Sequence, residues 1–308
     1  MIISASYRTD IPAFYGRWFL NRLRAGWCAV PNPYGGRPSV VPLAGPLVDG
    51  YVFWTRNLGP FREALEAVGG LGLPFVVQMT ITGYPRALET SVTDAARAVA
   101  QLRGVRARWG KRAAVWRYDP ILFTGLTEAA WHRANFARLA AELEGAVDEV
   151  VVSVAQVYAK TRRNTDAAAA AAGFSWRDPP VEERAALVAD LADLAAERGM
   201  RLTLCTQPEL LAALPADAPV GAARCIDAER LSALAGQPVA AKTKGNRPGC
   251  LCAESRDIGV YNSCPHGCVY CYAVRHRDRA RATHRAHDPA ANSLAGELAV
   301  GKRAGILT

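Results

Sequence analysis

Seven short runs of β-branched and aromatic residues recur along the chain, with helix-forming stretches between most of them. They cover residues 2–6, 51–55, 75–81, 113–117, 149–155, 201–205 and 222–226. Near-continuous apolar runs of this length fit strands buried on both faces, which parallel strands are. The stretches between them carry helix signals. Ser91 is a candidate N-cap for residues 95–109, with Asp94 three positions on. Thr127 is a candidate cap for residues 128–143, with Gly145 as the stop. Asp178-Pro179-Pro180 opens residues 181–198, and Gly199 closes them. The alanine run 167–172 reads as plain helix. Repeated β–α units predict an α/β fold, a (β/α) TIM-barrel-like or partial barrel. Residues 239–242 are the candidate eighth strand.

Beyond residue 241 the pattern changes, and Gly, Pro, Cys, Asn and Arg replace the periodic hydrophobics. Residues 1–241 are therefore expected to form the α/β domain. Residues 242–308 are expected to form a cysteine-rich, cluster-binding C-terminal segment with little regular structure before residue 290. Such a segment has few apolar side chains, and metal ligation would supply the ordering energy. Half of the 308 residues are hydrophobic, ample for a large core. No apolar run approaches the roughly 18 residues of a membrane span, and the first residues lack the pattern of a signal peptide. The expected location is the cytoplasm, where thiols stay reduced and clustered cysteines favour metal over disulfide.

Eight cysteines are present, at 28, 205, 225, 250, 252, 264, 268 and 271, and five of them fall within 22 residues. Cys264, Cys268 and Cys271 form C-x3-C-x2-C, with Tyr270 just before the last. Three thiolates on a short, turning loop can take three corners of a cubane cluster. Pro265 stiffens the start of the loop and Gly267 frees its turn. The fourth iron keeps no ligand from the motif. In radical-SAM enzymes that corner binds S-adenosylmethionine (SAM), and the spacing with its penultimate aromatic fits that pattern. A zinc site built on the trio with His266 or Cys252 is the competing reading, although zinc sites more often repeat C-x2-C pairs. Cys250 and Cys252 form a C-x-C pair, while Cys205 and Cys225 end adjacent predicted strands. These four are expected to converge on a second centre, either a second [4Fe–4S] cluster or zinc. Lone cysteines on strands are more often small core residues, as Cys28 is expected to be.

The ends of the predicted strands carry polar side chains. Arg8, Asp10, Arg56, Arg117 and Asp119 are the candidate catalytic residues. Thr82, Tyr84, Gln156, Lys160 and Tyr270 are the candidate cofactor-binding residues. In a barrel they would encircle one face, and the cations Arg8, Arg56, Arg117 and Lys160 would suit a carboxylate or phosphate. The net charge of +9 and the basic stretch 275–287, with five arginines and three histidines, allow a nucleic-acid partner. The abundance of arginine throughout also fits a general compositional bias.

The stretches Phe53-Trp-Thr-Arg-Asn57, Thr80-Ile-Thr-Gly-Tyr84, Trp116-Arg-Tyr-Asp-Pro-Ile121, Cys225-Ile-Asp227 and Ser255-Arg-Asp-Ile-Gly-Val-Tyr-Asn262 precede the trio and Tyr272-Ala273. In combination they resemble the bacterial domain-of-unknown-function family 1848 over about residues 2 to 273. The resemblance implies an iron–sulfur, radical-SAM-like protein without a settled substrate. About ten residues around Cys268-Val-Tyr-Cys-Tyr272 are also similar to the cluster loop of spore photoproduct lyase. Ordinary radical-SAM domains place this loop after the first strand, whereas here it follows the last, from where the C-terminal part of the chain can fold back across the barrel mouth. The expectation is reductive cleavage of SAM, with radical chemistry on a polar, anionic or nucleotide-like small molecule. The electron donor would be a ferredoxin or flavodoxin, and no membrane is involved. The alternative is a non-catalytic iron–sulfur or zinc protein that binds nucleic acid through its basic tail.

Overall fold

The computed structural model describes residues 1–32 and 35–300. The apolar runs become strands β1 (Ile2–Ala5), β4 (Gly50–Thr55), β5 (Phe75–Thr80), β6 (Ala114–Ile121), β7 (Glu149–Val154), β8 (Arg201–Leu204) and β9 (Val220–Ala222). A small antiparallel hairpin, β2 (Trp27–Val30) and β3 (Ser39–Pro42), stands apart. The last strand is β10 (Ser255–Asp257). Eight strands join one parallel sheet in the order β10-β1-β4-β5-β6-β7-β8-β9.

Parallel pairing sends every strand's C-terminal end to the same side, so side chains far apart in sequence share one rim. One sheet face, with Tyr51, Phe53, Val77, Trp116 and Val150, packs in the main core beneath the helices. The helices Gly16–Ala25, Ala95–Trp109, Ala129–Leu143 and Val181–Ala196 supply its other wall. The opposite face holds a second core of Ile2, Val52, Val76, Val115 and Val151, closed by Leu231 of the helix Ala228–Ala235. That face is concave: the Gln78 amide on β5 donates across it to the carbonyl of Cys225, beyond β9, at 2.9 Å. At its N-terminal end Arg230 pairs with Asp148 at 2.9 Å and Glu149 at 2.7 Å, which ties the helix Ala228–Ala235 to the start of β7.

The α/β class and the parallel sheet are as expected. Among the described residues no ladder joins β9 to β10; their flanks meet through one backbone bond, Ala253 N–H to the Ile226 carbonyl at 2.9 Å. Other expectations need correction. Residues 239–242 form no strand, because the Lys242 carbonyl accepts instead from Glu254 N–H and the neighbouring Thr243 bridges antiparallel to Ala253. The eighth sheet strand is β10, on the far edge beside β1. The stretch 242–290 is also more regular than expected, holding β10 and the helix Arg277–Arg285. The run at 222–226 is a strand only up to Ala222. Asp94, not Ser91, caps the helix Ala95–Trp109, by accepting Ala96 N–H at 2.9 Å. Ser91 is occupied elsewhere: its N–H donates to the carbonyl of His266. Thr127 caps nothing either, since its hydroxyl turns inward to the Leu122 carbonyl at 2.7 Å. Residues 301–308 lie outside the described residues.

Candidate functional site

The segment carrying the trio folds back over the C-terminal rim. It is pinned from several strand ends at once. Tyr15 donates its hydroxyl to the Ser263 carbonyl at 2.7 Å. His266 Nε2 lies 2.8 Å from Asp10 Oδ2. Ser91 N–H donates to the His266 carbonyl at 2.9 Å, and Val269 N–H to the Leu88 carbonyl at 3.1 Å. Thr161 Oγ1 reaches the Tyr270 carbonyl at 3.5 Å. Gly267 turns with φ +81° under the side chain of Arg277.

Within this loop the thiol of Cys271 lies in electrostatic range of both Cys264 and Cys268. Burial raises all three thiols above the ordinary range, to about 12 at Cys268, where Arg56 opposes the effect and Glu89 adds to it. Backbone N–H groups of His266 and Asp10 point at the Cys264 sulfur, and those of Ala273 and Val274 at Cys271. Arg56 and Lys160 act on Cys271 in the same sense, through their positive charge. N–H donors and cations of this kind favour sulfur as thiolate, the form that binds metal. Among the described residues, no group of three or more His, Cys, Asp or Glu side chains is gathered as it stands around a point that could hold a metal ion.

The strand-end residues fall on this rim, and most are already partnered. Asp10 accepts from Ala13 N–H, Thr55 Oγ1 and Arg56 N–H, which makes it a hub that orients His266. Arg56 donates to Glu89 at 2.7 Å and to the Tyr270 hydroxyl at 2.5 Å. Thr82 donates to the same Glu89 oxygen at 2.7 Å, and the Tyr270 hydroxyl donates there too. Arg117 pairs with Asp119 at 2.6 Å and stacks over Trp54, its guanidinium carbon 5.1 Å from the ring centroid. Burial pushes the Asp119 carboxyl up, but Arg117 and the Ser153 hydroxyl outweigh it and hold the group below its ordinary value. Tyr84 is spent on backbone, donating to Pro120 and accepting from Leu122. Gln156 accepts from Arg247 at 2.9 Å. Arg8 is half-buried and pairs with Asp257 at 3.8 Å, its guanidinium over the ring of Tyr261 at 5.2 Å, while the exposed Lys160 lies over the same ring at 5.9 Å.

Sequence reasoning passed over Glu89 and Asp257. Glu89 is a lone acid in an irregular stretch, and nothing local distinguishes it from a surface carboxylate. Asp257 is buried in β10 and accepts from Ser4, Ser6, Tyr7 N–H and Gly259 N–H. Burial raises its carboxyl above the ordinary range against the pull of Ser6 and Arg8. The Ser-Arg-Asp motif of that strand was the available signal.

The other four cysteines meet at the ends of β8 and β9. Cys225 Sγ is 3.5 Å from Cys205 Sγ. Cys252 bonds both Cys225 and Cys250, and Ile226 N–H donates to the Cys252 sulfur at 3.4 Å. The bond from Cys252, with help from Thr206 and local backbone, lowers the Cys250 thiol to about 6 despite burial. Cys28 is buried in the main core, away from both groups.

The family model described as a domain of unknown function (DUF1848) matches residues 2–273. No curated protein matches the chain. Among solved structures, a D-hydantoinase shows 12% identity and a TM-score of 0.30, with 67% of this chain and 40% of that one covered. A mutant of atrazine chlorohydrolase TrzN from Arthrobacter aurescens TC1, complexed with zinc and atraton, shows 14% identity and a TM-score of 0.31, with coverages of 68% and 45%. The chain thus spans less than half the length of either structure. No helix among the described residues is long and apolar enough to cross a membrane.

Proposed function

The chain belongs to the family of the domain of unknown function DUF1848, and on that premise we propose that it is a radical-SAM-type [4Fe–4S] enzyme with a barrel-like architecture. The carrying observation is the seating of the trio's loop on the C-terminal rim of a parallel sheet, with Cys271 in electrostatic range of the other two thiols and backbone N–H groups aimed at Cys264 and Cys271. The donor set fits the cofactor: Cys264, Cys268 and Cys271 would hold three irons and leave the fourth for SAM. When bound, such a cluster supplies the single electron that cleaves the sulfonium of SAM and releases a 5′-deoxyadenosyl radical.

The protein's own residues position and shield. Arg56, Glu89, Thr82 and Tyr270 form a buried knot that fixes the last turn of the loop. Asp10 holds His266 and thereby the first turn. Lys160, exposed over the ring of Tyr261, supplies outward-facing positive charge for the carboxylate of SAM or for an anionic or polar substrate, with Arg8 beside it held by Asp257. The Arg117–Asp119 pair would line the substrate side. This reading places the protein in a reducing cytoplasm, served by a ferredoxin or flavodoxin.

The test is anaerobic reconstitution with iron and sulfide, reduction, and addition of SAM. About four irons on the trio and release of 5′-deoxyadenosine are expected, both lost in Cys264→Ala, Cys268→Ala and Cys271→Ala. A protein that binds no iron through the trio, or holds a cluster yet never releases 5′-deoxyadenosine, would refute the reading. A second reading has its own support. The helix Arg277–Arg285 docks through Ala280 and His284 and leaves Arg279, Arg281 and Arg285 exposed. A charged face of this kind could track a phosphate backbone. Salt-dependent DNA binding lost on neutralising those arginines, in a protein that does not turn over SAM, would favour it.

A further inference from the structure

The geometry points to a second metal site, independent of the trio: Cys205, Cys225, Cys250 and Cys252 bind a single zinc ion as a tetrathiolate staple. Four cysteines drawn from three separate stretches of chain form an unbroken run of sulfur contacts, from Cys205 through Cys225 and Cys252 to Cys250. A tetrahedron of sulfurs at Zn–S distances of about 2.3 Å has edges of about 3.8 Å. The 3.5 Å between Cys205 and Cys225 is close to that edge, so the thiols, now in contact with one another rather than around one point, need only open by a few tenths of an ångström for these two to share an ion. Cysteines of a cubane each bind a different iron and stand farther apart, which separates this site from a second cluster. All-sulfur tetrahedral coordination with no open position suits structural zinc.

The surroundings are built for anionic sulfur. Arg117 Nη1 donates to Cys225 Sγ at 3.1 Å, and Arg247 Nη2 lies 3.8 Å from Cys205 Sγ. Ile226 N–H donates to Cys252 at 3.4 Å. Donors aimed at ligand atoms are what orients and tunes a metal site. Gly245 adds steric evidence. A Cβ there would fall 2.3 Å from Cys250 Cβ and 2.8 Å from Cys250 Sγ, so the chain passes over the ligand only because residue 245 is glycine. Residues 242–249, ahead of β10, offer no apolar side chain but one proline, and an ion held by Cys250 and Cys252 on one side and Cys205 and Cys225 on the other would fasten them across the rim.

The inference does not rest on the cluster reading, and metal analysis of the full chain separates the two. The triple variant Cys264→Ala/Cys268→Ala/Cys271→Ala should keep about one zinc per chain. The double variant Cys225→Ser/Cys252→Ser should lose zinc while retaining iron on the trio. Gly245→Ala, which removes no ligand, should also lower zinc retention. Cobalt loaded into the triple variant should give the intense visible bands and thiolate charge transfer of a tetrahedral sulfur site. Four irons in the triple variant would overturn the proposal in favour of a second cluster. One iron in place of zinc, or no metal and no cobalt bands in a folded triple variant, would overturn it as well.

Discussion

Arg56 Nη1 lies 2.7 Å from Glu89 Oε1, and both side chains are buried beneath the thiol loop. Removing one partner of a buried ion pair strands the other charge and typically costs about 3–5 kcal/mol. Glu89→Ala should therefore lower the stability of the folded chain by about that amount. Glu89→Gln, which still accepts from Thr82 and Tyr270, should cost less. Urea unfolding of the two variants checks the ranking; equal losses would mean that the charge is not what holds the knot.

The neighbouring strands β1 and β10 allow no side chain at Gly259. A Cβ there would sit 1.9 Å from Ser6 Oγ and 2.6 Å from Ser6 Cβ. Ser6 is fixed by its bond to Asp257, so the clash has no easy relief. Gly259→Ala should destabilise by about 1–3 kcal/mol, the usual range for overpacking. Pairing it with Ser6→Gly should recover much of that loss in thermal unfolding.

His132 reports on the main core. Its imidazole is buried between the Tyr118 hydroxyl at 2.9 Å and the Leu122 carbonyl at 3.2 Å. Burial lowers it to about 4, against the opposing pull of the Leu122 carbonyl and Glu128. The unfolded chain takes up this proton near pH 6.5, the folded chain only near pH 4. The stability tied to the neutral ring is thus complete above pH 6.5 and is lost as pH falls from there through 4. The loss amounts to about 3 kcal/mol. His132→Gln should show a flatter acid limb in chemical unfolding. An NMR titration in which the His132 ring signal moves between pH 6 and 7 would contradict the assignment.

Lys160 tests the proposed ligand side of the rim. Lys160→Ala should weaken SAM binding to the reconstituted protein about tenfold, the 1.4 kcal/mol scale of one charge-assisted contact. Its iron content should stay unchanged, because Lys160 is exposed and outside the loop. Unaltered affinity in equilibrium binding would remove Lys160 from the site.

Much of this could be read from the chain. Valines at 76, 77, 115, 150, 151 and 152 mark their strands because a parallel strand buried on both faces has nothing polar to interrupt it. β10 escaped notice for the opposite reason: Ser255, Arg256 and Asp257 have no strand-like composition, and the strand exists because Asp257 finds Ser4 and Ser6 beside it. The hairpin of β2 and β3 was missed as well, and its strands are four residues each. Cysteine spacing pointed to both thiol groups. The partners of the arginines could not be foreseen, since Glu89 and Arg56 meet only after an irregular stretch folds back over the rim.

The pairing of β1 with β10 joins positions 253 apart, as the bond between Ser4 and Asp257 shows. On the ribosome, β1 therefore emerges long before its outer neighbour, and the two can pair only once all the residues between them have been translated. Throughout that interval one side of β1 offers bare amides and carbonyls to any passing strand. The residues that finally cover it emerge just ahead of Cys264, so the nascent chain gains its protected edge and its sulfur donors almost together.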